Sequence, residues 1–300
     1  MDYLVVSTFV TDRVTLADGR YYGEFPGGAG LYALCGLGVW SKSALLVTGV
    51  GRDFNHSYNE WFEKSGLSAY GLMIRDEHTA VSQVYYHNDG ERTEVPLYGE
   101  EHYRKMEAGP DDLAAYCDGL KGMYVFKDFG PPGYWDELLA LKNRYGFCLL
   151  WELNASIMTP DNISQIRRIA EGLDTLSLNQ SECRALFNES DLEACVHILS
   201  GWKVPMIYLR KGAEGALILK DGRTYAIPAV QDALVVDVTG GGNASSAALL
   251  HGVCQNMSPY ECGVLAGVSA ALCISQYGPP LLDASATKKA ELLRAQFLRC

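Results

Sequence analysis

Three consecutive glycines form the segment of this 300-residue chain with the clearest potential for chemistry. They stand in Asp237-Val238-Thr239-Gly240-Gly241-Gly242-Asn243, between the apolar run Ala233–Val236, which we expect to be a strand, and the helix-like stretch Ala244–His251. Glycines at such a junction leave backbone N–H groups free to point at one spot, and the helix N-terminus adds a partial positive charge. The pattern predicts an anion hole; the alternative is a turn that serves backbone geometry alone. No Gly-x-x-x-x-Gly-Lys-Ser/Thr pattern occurs, which excludes a P-loop.

Composition and charge exclude several classes of protein. The 25 Lys and Arg against 36 Asp and Glu give a net charge of −11, which repels a phosphate backbone, so we expect no nucleic-acid partner. Asp2 stands where a signal peptide carries Lys or Arg, and no apolar run is long enough for a membrane span, which predicts a cytoplasmic protein without a membrane partner. The nine cysteines lack Cys-x-x-Cys spacing and the six histidines are scattered, which favours neither a disulfide framework nor a transition-metal site.

Further motifs, in a fixed order along the chain, give the sequence a family resemblance. Asp237–Ala244 resembles the second signature of the ribokinase-like, or PfkB, family of carbohydrate kinases, usually Asp-Thr-Thr-Gly-Ala-Gly-Asp. Gly27–Ala33 and Val47–Asp53 resemble the family's Gly-Gly substrate turn and its Val-Gly-x-Asp segment. Asn179–Glu182 matches Asn-x-x-Glu, and Lys211–Ala216 matches the Gly-x-x-Gly hairpin. Together these motifs cover almost the whole chain.

The resemblance implies an ATP- and Mg²⁺-dependent kinase that transfers the γ-phosphoryl group to a hydroxyl of a sugar, a sugar derivative or a nucleoside. The catalytic residues it implies are Asn243, Gly240, Gly241 and Gly242. The substrate-binding residues it implies are Asp12, Gly27, Gly28, Tyr32 and Asp237. The residues it implies for ATP are Asn179, Glu182, Gly212, Gly215, Thr239, Gly240 and Gly242, with Glu182 reaching Mg²⁺ through water.

Two of these assignments have simpler alternatives. In the simpler interpretation, Asp12 is an exposed acidic residue at the end of a strand and does not bind substrate. Asn179 and Glu182 would belong to an ordinary helix start, with Ser181 as its cap and Glu182 near the helix dipole.

Asn243 departs from the family pattern, because the family's catalytic base is an aspartate at this position. An amide cannot accept the substrate proton, and general-base catalysis contributes roughly 10² to 10⁴ in rate. Phosphoryl transfer depends mainly on positioning and electrostatics, so Asn243 can still orient a hydroxyl. The alternative is a catalytically impaired protein that binds nucleotide or sugar as a sensor or scaffold. The retained glycines, Asn179 and Glu182 favour the enzyme.

Residues of the predicted substrate-binding region also depart from the family pattern. Tyr32 stands where sugar kinases of this family often have Asn, and Glu152 and Asn154 lie in a stretch that more often reads Asp-x-Asn. Tyr32 together with Tyr21, Tyr22 and Phe25 suggests stacking on a nucleoside or an aromatic glycoside. The same aromatic residues would alternatively pack the lid or a dimer contact, since lid sheets in this family often pair into homodimers.

These residues must be positioned by an α/β fold, because short apolar runs alternate with helical patterns. We expect one ribokinase-like α/β domain over residues 1–300, with a mostly parallel, doubly wound sheet flanked by helices and a small β-sheet lid from about 12–26 and 73–98. The lid contains a hairpin of Val81–Tyr86 and Glu91–Val95 around His87–Gly90, and a turn at Asp18-Gly19. The predicted strands are Tyr3–Val6, Ser43–Val47, Met123–Phe126, Phe147–Trp151, Thr175–Leu178 and Met206–Leu209. The predicted helices are Gly30–Trp40, Tyr58–Ser65, Trp135–Asn143, Asn162–Glu171, Ser181–Phe187 and Asp191–Leu199, with Ser181 and Asp191 as caps.

Overall fold

A computed structural model describes residues 1–54, 56–88 and 92–298 of the chain. The strands are β1 (Tyr3–Val6), β2 (Val10–Thr15), β3 (Tyr21–Gly27), β4 (Ala44–Gly51), β5 (Leu72–Asp76), β6 (Val81–Tyr86), β7 (Arg92–Pro96), β8 (Gly122–Lys127), β9 (Cys148–Leu153), β10 (Thr175–Asn179), β11 (Met206–Arg210), β12 (Ala216–Lys220) and β13 (Arg223–Ile227). The helices are α1 (Ala29–Gly38), α2 (His56–Lys64), α3 (Gly99–Met106), α4 (Pro110–Leu113), α5 (Tyr134–Tyr145), α6 (Ile163–Ala170), α7 (Gln180–Phe187), α8 (Leu192–Ser200), α9 (Gly241–Cys254), α10 (Pro259–Cys273) and α11 (Ala284–Phe297).

A nine-stranded sheet with the order β13-β12-β11-β10-β9-β8-β1-β4-β5 forms the centre of the molecule. Its strands pair in parallel from β5 through β11, and β12 and β13 add an antiparallel edge. Side chains of β1 alternate between two cores: Leu4 and Val6 join one, and Tyr3 and Val5 join the other. Because successive strand residues point to opposite faces, helices cover both sides of the sheet. The predicted α/β architecture is confirmed.

Helix α1 and helix α9 approach each other closely on one face of the sheet. A Cβ atom on Gly36 would lie 2.0 Å from the backbone oxygen of Ala244, so only glycine allows this contact. The contact holds the first turn of α9, which follows the glycine loop, against α1, which follows the Gly27-Gly28 turn. The two glycine-rich segments of the sequence are therefore fixed beside each other.

A separate four-stranded sheet with the order β3-β2-β6-β7 includes the segments predicted to form the lid, and we call it the lid sheet, or lid. Strands β2 and β3 are antiparallel, as are β6 and β7, while β2 and β6 pair in parallel. The hairpin is present as predicted, although Asp89–Glu91 of its turn lie outside the described residues. The expected range 73–98 began too early, because Leu72–Asp76 pairs with β4 at the edge of the main sheet.

The six predicted strands and six predicted helices each overlap an observed element, but two local predictions are wrong. Ala233–Val236 forms no strand: this segment links β13, at the sheet edge, to α9 near the sheet centre, and Leu234 is 65% exposed. Ser181 does not cap α7, because the side chain of Asn179 accepts the hydrogen bond from Glu182 N instead. Asp191 caps α8 as predicted. Among the residues described, no helix is long and apolar enough to cross a membrane.

Candidate active site

A cavity of about 620 Å³ lies between the lid and the carboxyl ends of the central strands. Ligands of open α/β sheets bind at this edge, because the loops that follow parallel strands meet there. Of the residues predicted for the site, the cavity wall includes Asp12, Gly28, Tyr32, Asp237, Thr239, Gly240 and Asn243. The lid contributes Phe25, Ser82, Val84, Tyr86, Arg92 and Glu94, and the main sheet and α3 contribute Phe126, Lys127, Asp128, Asn154, Tyr103, Arg104 and Glu107.

Asp12 lies on β2 and faces the cavity beside Gly27. A Cβ on Gly27 would lie 1.9 Å from Asp12 Oδ2, so the glycine makes room for the carboxylate. Within the described part of the chain the carboxylate accepts no hydrogen bond, and burial, followed by the negative charge of Glu94, raises its pKa to about 8. Gly28 has φ +90° and packs against Thr8 O, which brings the backbone to the cavity wall. The Asp12 carboxylate is therefore a hydrogen-bond acceptor with no donor in the part of the chain that the structure describes.

The glycine loop ends in a helix start, as the sequence predicted. Gly240 is the N-cap of α9 with φ +74°, a conformation that favours glycine. A Cβ on Gly240 would lie 2.0 Å from the Tyr32 ring, so Tyr32 packs directly against the loop. The N–H groups of Gly242 and Asn243 have no backbone acceptor among the described residues, as expected for a first helical turn. The geometry suits an anion.

Thr239 connects the glycine loop to the lid. Its hydroxyl donates to Asp237 Oδ1 at 2.6 Å and accepts from Arg92 Nη1 at 2.7 Å. Asp237 Oδ1 also accepts from Thr239 N at 3.0 Å, so this oxygen is committed to holding the loop. Arg92 lies on β7 and pairs with Glu94 at 2.6 Å. The lid thus places a cation beside the predicted anion hole.

The side chain of Asn243 belongs to a buried polar network. Asn243 Nδ2 donates to Tyr124 Oη at 3.1 Å and to Glu152 Oε1 at 3.3 Å. Tyr124 Oη donates to Glu152 Oε2 at 2.7 Å. Burial, with the carboxylate of Glu152, raises the pKa of Tyr124 well above its usual value. Tyr124 therefore keeps its proton.

Arg210 belongs to the same network and packs against the glycine loop. Arg210 Nη1 lies 2.7 Å from Glu152 Oε1, and Nη2 lies 3.5 Å from Glu182 Oε2. A Cβ on Gly242 would lie 2.1 Å from Arg210 Nη1, so the guanidinium packs where any other residue would project a side chain. This close contact explains why position 242 is a glycine.

Asn179 and Glu182 form a reciprocal capping box at the start of α7. Asn179 Oδ1 accepts from Glu182 N at 2.8 Å, and Glu182 Oε2 accepts from Asn179 N at 2.7 Å. Burial raises the pKa of the Glu182 carboxyl, while Arg210 opposes that change. Neither residue lines the cavity, and in the described chain no group of three or more His, Cys, Asp or Glu could hold a metal ion.

Gly212 and Gly215 also lie outside the cavity wall, in the turn between β11 and β12. Gly215 has φ +83°, and a Cβ there would lie 2.0 Å from Ile227 O. Gly212 has φ +61° with open space beside it. Their predicted place beside the nucleotide stays a prediction.

The aromatic residues of the lid divide into two groups. Tyr22 stacks on Phe25 with ring centroids 5.7 Å apart and contacts Tyr277 at 4.9 Å. Tyr86 contacts the same Tyr277 at 6.0 Å, so the loop after α10 is joined to the lid through rings. Phe25, Tyr86 and Tyr277 line the cavity, whereas Tyr21 is 57% exposed.

Sequence reasoning gave no role to Arg92, Glu94, Tyr124, Lys127 or Arg210. Lys127 and Arg210 are the last residues of β8 and β11, and the carboxyl ends of parallel strands are where site residues collect. That rule was available from the predicted strands. Arg92 and Glu94 required the pairing register of the hairpin.

The structure combines a mostly parallel sheet, a smaller separate sheet and a glycine-rich helix start beside one cavity. The match to the pfkB family of carbohydrate kinases spans residues 4–283, and the chain belongs to this family. A ribokinase from Lactococcus lactis is 36% identical over 289 residues, covering 89% of this chain and 87% of the relative. A cytidine kinase from Thermococcus kodakarensis is 24% identical over 282 residues, covering 87% of this chain and 92% of the relative.

Two solved structures share the fold. A probable sugar kinase from Rhizobium etli superposes with a TM-score of 0.80 at 19% identity, covering 97% of this chain and 98% of its own. A nucleoside kinase from Burkholderia thailandensis, in complex with inosine, gives a TM-score of 0.77 at 17% identity, covering 98% of this chain and 97% of its own.

Proposed function

We propose that the protein transfers the γ-phosphoryl group of ATP to a hydroxyl of a sugar, a sugar derivative or a nucleoside bound under the lid. The observation that carries this proposal is the pairing of two features across one cavity. Among the described residues, no donor reaches the Asp12 carboxylate, and no backbone acceptor reaches the N–H groups of Gly242 and Asn243 at the start of α9. A carboxylate accepts substrate hydroxyl hydrogens, and the helix start stabilises phosphoryl oxygens.

The reaction follows from this arrangement. The substrate oxygen attacks the γ-phosphorus and forms the new O–P bond, while the bridging P–O bond to ADP breaks and its electron pair stays on the β-phosphate oxygen. Asn243 accepts the hydrogen of the attacking hydroxyl as a hydrogen bond but cannot take the proton, which leaves to water. The backbone of Gly240 and Gly242 holds the phosphoryl group at the start of α9, and Arg92 adds positive charge from the lid. Thr239 donates both its N–H and its O–H to Asp237, so its part is to fix the shape of this loop.

Mg²⁺ is part of the proposal because it would neutralise the phosphate charge. Glu182 suits an indirect role, since its Oε2 already accepts from Asn179 N and pairs with Arg210. Mg²⁺ keeps much of its hydration shell, so water would link the ion to this carboxylate. Gly212 and Gly215 would lie beside the nucleotide.

A nucleoside is the substrate that we would test first among the proposed classes. One relative is named a cytidine kinase, and one structural neighbour was solved with ADP and inosine. Phe25, Tyr86 and Tyr277 give the cavity aromatic surface for a base, and Asp12 gives an acceptor for sugar hydroxyls. The cytoplasmic location and a homodimer through the lid stay predictions.

The test measures ADP release with ATP and Mg²⁺ over a panel of nucleosides, pentoses, hexoses and polyols, beside the thermal shift given by each compound. We expect turnover with at least one compound, and an Asp12→Asn variant with a KM raised at least tenfold. Asp18→Asn is the matched control, because Asp18 lies in an exposed turn of the same lid and bonds only within it. Stabilisation by nucleotide and substrate without turnover would favour the sensor or scaffold instead.

A further inference from the structure

We infer that Glu152 is a positioning residue that sets the orientation of the Asn243 amide, so that its nitrogen faces the protein interior and its oxygen faces the cavity. This inference rests on the proposed function. It concerns a residue that does not line the cavity and whose side chain is only 3% exposed. Glu152 would therefore influence the reaction through the residues it contacts, and Asn243 is the one of them that lines the cavity.

The orientation follows from a count of donors and acceptors. The Glu152 carboxylate, paired with Arg210, accepts hydrogen bonds only. Tyr124 uses its single O–H hydrogen on Glu152 Oε2, so it offers only lone pairs to Asn243. Both partners of Asn243 therefore require a donor, which the amide nitrogen supplies and the oxygen does not. The oxygen has no protein donor in the described ranges and is left for a ligand.

The residues that determine this orientation are held in place by the central sheet. Glu152 is next to last in β9, Tyr124 lies in β8, and Arg210 ends β11, so all three stand on the central sheet and not on a loop. Arg210 contacts Glu152 at 2.7 Å and fills the space beside Gly242. The sheet thus transmits one rigid geometry to the first turn of α9.

The orientation has a chemical consequence. An amide oxygen that faces the cavity accepts the hydrogen of the attacking hydroxyl, which turns a lone pair of that hydroxyl toward the phosphorus. A rotated amide would present N–H groups and attract the lone pair away from the phosphorus. Glu152 therefore selects the productive arrangement of a residue that has lost the usual carboxylate.

The decisive experiment compares Glu152→Gln in two backgrounds, the natural Asn243 and Asn243→Asp. The glutamine that Glu152→Gln introduces can donate as well as accept, so with Asn243 both amide orientations are allowed. We then expect kcat to fall about tenfold while KM changes less than about twofold. The carboxylate that Asn243→Asp introduces has two equivalent oxygens and no orientation to select. It would also face Glu152 as a like charge, so in that background Glu152→Gln should raise kcat about threefold or more.

This change of sign separates positioning from structure. A merely structural role of Glu152 would lower kcat in both backgrounds, and that result would overturn the inference. Tyr124→Phe serves if Glu152→Gln fails to fold, because it removes one acceptor and the donor to Glu152 Oε2. With Asn243 we expect kcat to fall by about half the logarithmic size. With Asn243→Asp, which has no amide orientation to select and still faces the charge of Glu152, kcat should change less than about twofold, and equal falls in both backgrounds would overturn the inference.

A second measurement needs no turnover and therefore separates this inference from the proposed function. In protein labelled with ¹⁵N-asparagine, the side-chain amide of Asn243 is identified by the signal that Asn243→Asp removes. We expect its hydrogens to exchange with solvent at least about tenfold more slowly in the wild type than in Glu152→Gln. Equal exchange would overturn the inference. Slow exchange without turnover on any substrate would retain the amide geometry and remove the kinase proposal.

Discussion

Two acidic side chains of the molecule have opposite surroundings: Asp12, which lines the cavity on the lid sheet, and Glu152, which is buried next to the glycine loop and outside the cavity wall. Glu152 forms an ion pair with Arg210 and accepts hydrogen bonds from Tyr124 and Asn243. Asp12 receives none from the described residues, and burial, followed by the negative charge of Glu94, raises its pKa to about 8. A buried carboxylate that the protein satisfies belongs to the scaffold, whereas one left unsatisfied costs stability and is retained for a ligand.

The largest loss of stability should come from breaking the ion pairs that Arg210 forms with Glu152 and Glu182. Arg210→Met removes the cation between Glu152 and Glu182 and leaves two carboxylates without their partner. Breaking a buried pair costs about 3 to 5 kcal/mol of unfolding free energy, or roughly 5 to 8 °C in Tm for a chain of this size. Thermal denaturation at pH 7 measures the change.

Arg168→Met is the matched control for this prediction. Arg168 pairs with Asp136 on the surface, where both side chains are more than half exposed. Surface pairs contribute about 0 to 1 kcal/mol, so its Tm should move little. Equal losses for the two variants would show that the buried network does not stabilise the fold.

Replacing Asp12, the carboxylate without a partner among the described residues, should have the opposite effect and stabilise the protein at high pH. Below about pH 4 Asp12 is protonated in the folded and unfolded chains alike, so it does not affect stability. As the pH rises to about 8 the folded chain retains a proton that the unfolded chain has lost, and the free energy of unfolding falls. Asp12→Asn removes this loss, so relative to the wild type it should gain about 1.4 kcal/mol of unfolding free energy for each pH unit between about 4 and 8, about 5 kcal/mol in all by pH 9, and little at pH 4.

Difference curves of Tm against pH, for wild type and Asp12→Asn without ligand, measure this effect. Asp18→Asn serves again as the exposed control. A difference that stays constant from pH 4 to pH 9 would contradict the raised pKa of Asp12 and, with it, the contrast with Glu152.

The same contrast shows what the sequence predicts well. The strands and the glycine loop were found because apolar runs and consecutive glycines are local signals, and β1 was predicted with its observed bounds of Tyr3–Val6. Asp12 and Asn243 were located through motifs. Ala233–Val236 was mistaken for a strand because a short apolar run has no period that separates a strand from a connection.

The partners of the motif residues were beyond local signals. Glu152 was noticed as a departure from the family pattern, but its contact with Asn243 depends on the order of the central strands. Arg92 is contributed by a hairpin whose register decides which side chains face the cavity. Long-range pairing, and not residue type, therefore determines which carboxylate is satisfied.

Arg92 gives the smallest and most specific test, because it has no contact with Glu152 among the described residues and changes the surroundings of Asp12. Its positive charge lowers the pKa of Asp12, and its Nη1 donates to Thr239 across the cavity. Arg92→Gln should move the Asp12 transition in the Tm difference curve to higher pH and raise the substrate KM about fivefold, the equivalent of about 1 kcal/mol. Arg13→Gln is the control, since Arg13 adjoins Asp12 in β2 but pairs with Glu24 and lies outside the cavity wall. If both variants shift the transition equally, the effect comes from the net charge of the lid and not from the position of Arg92.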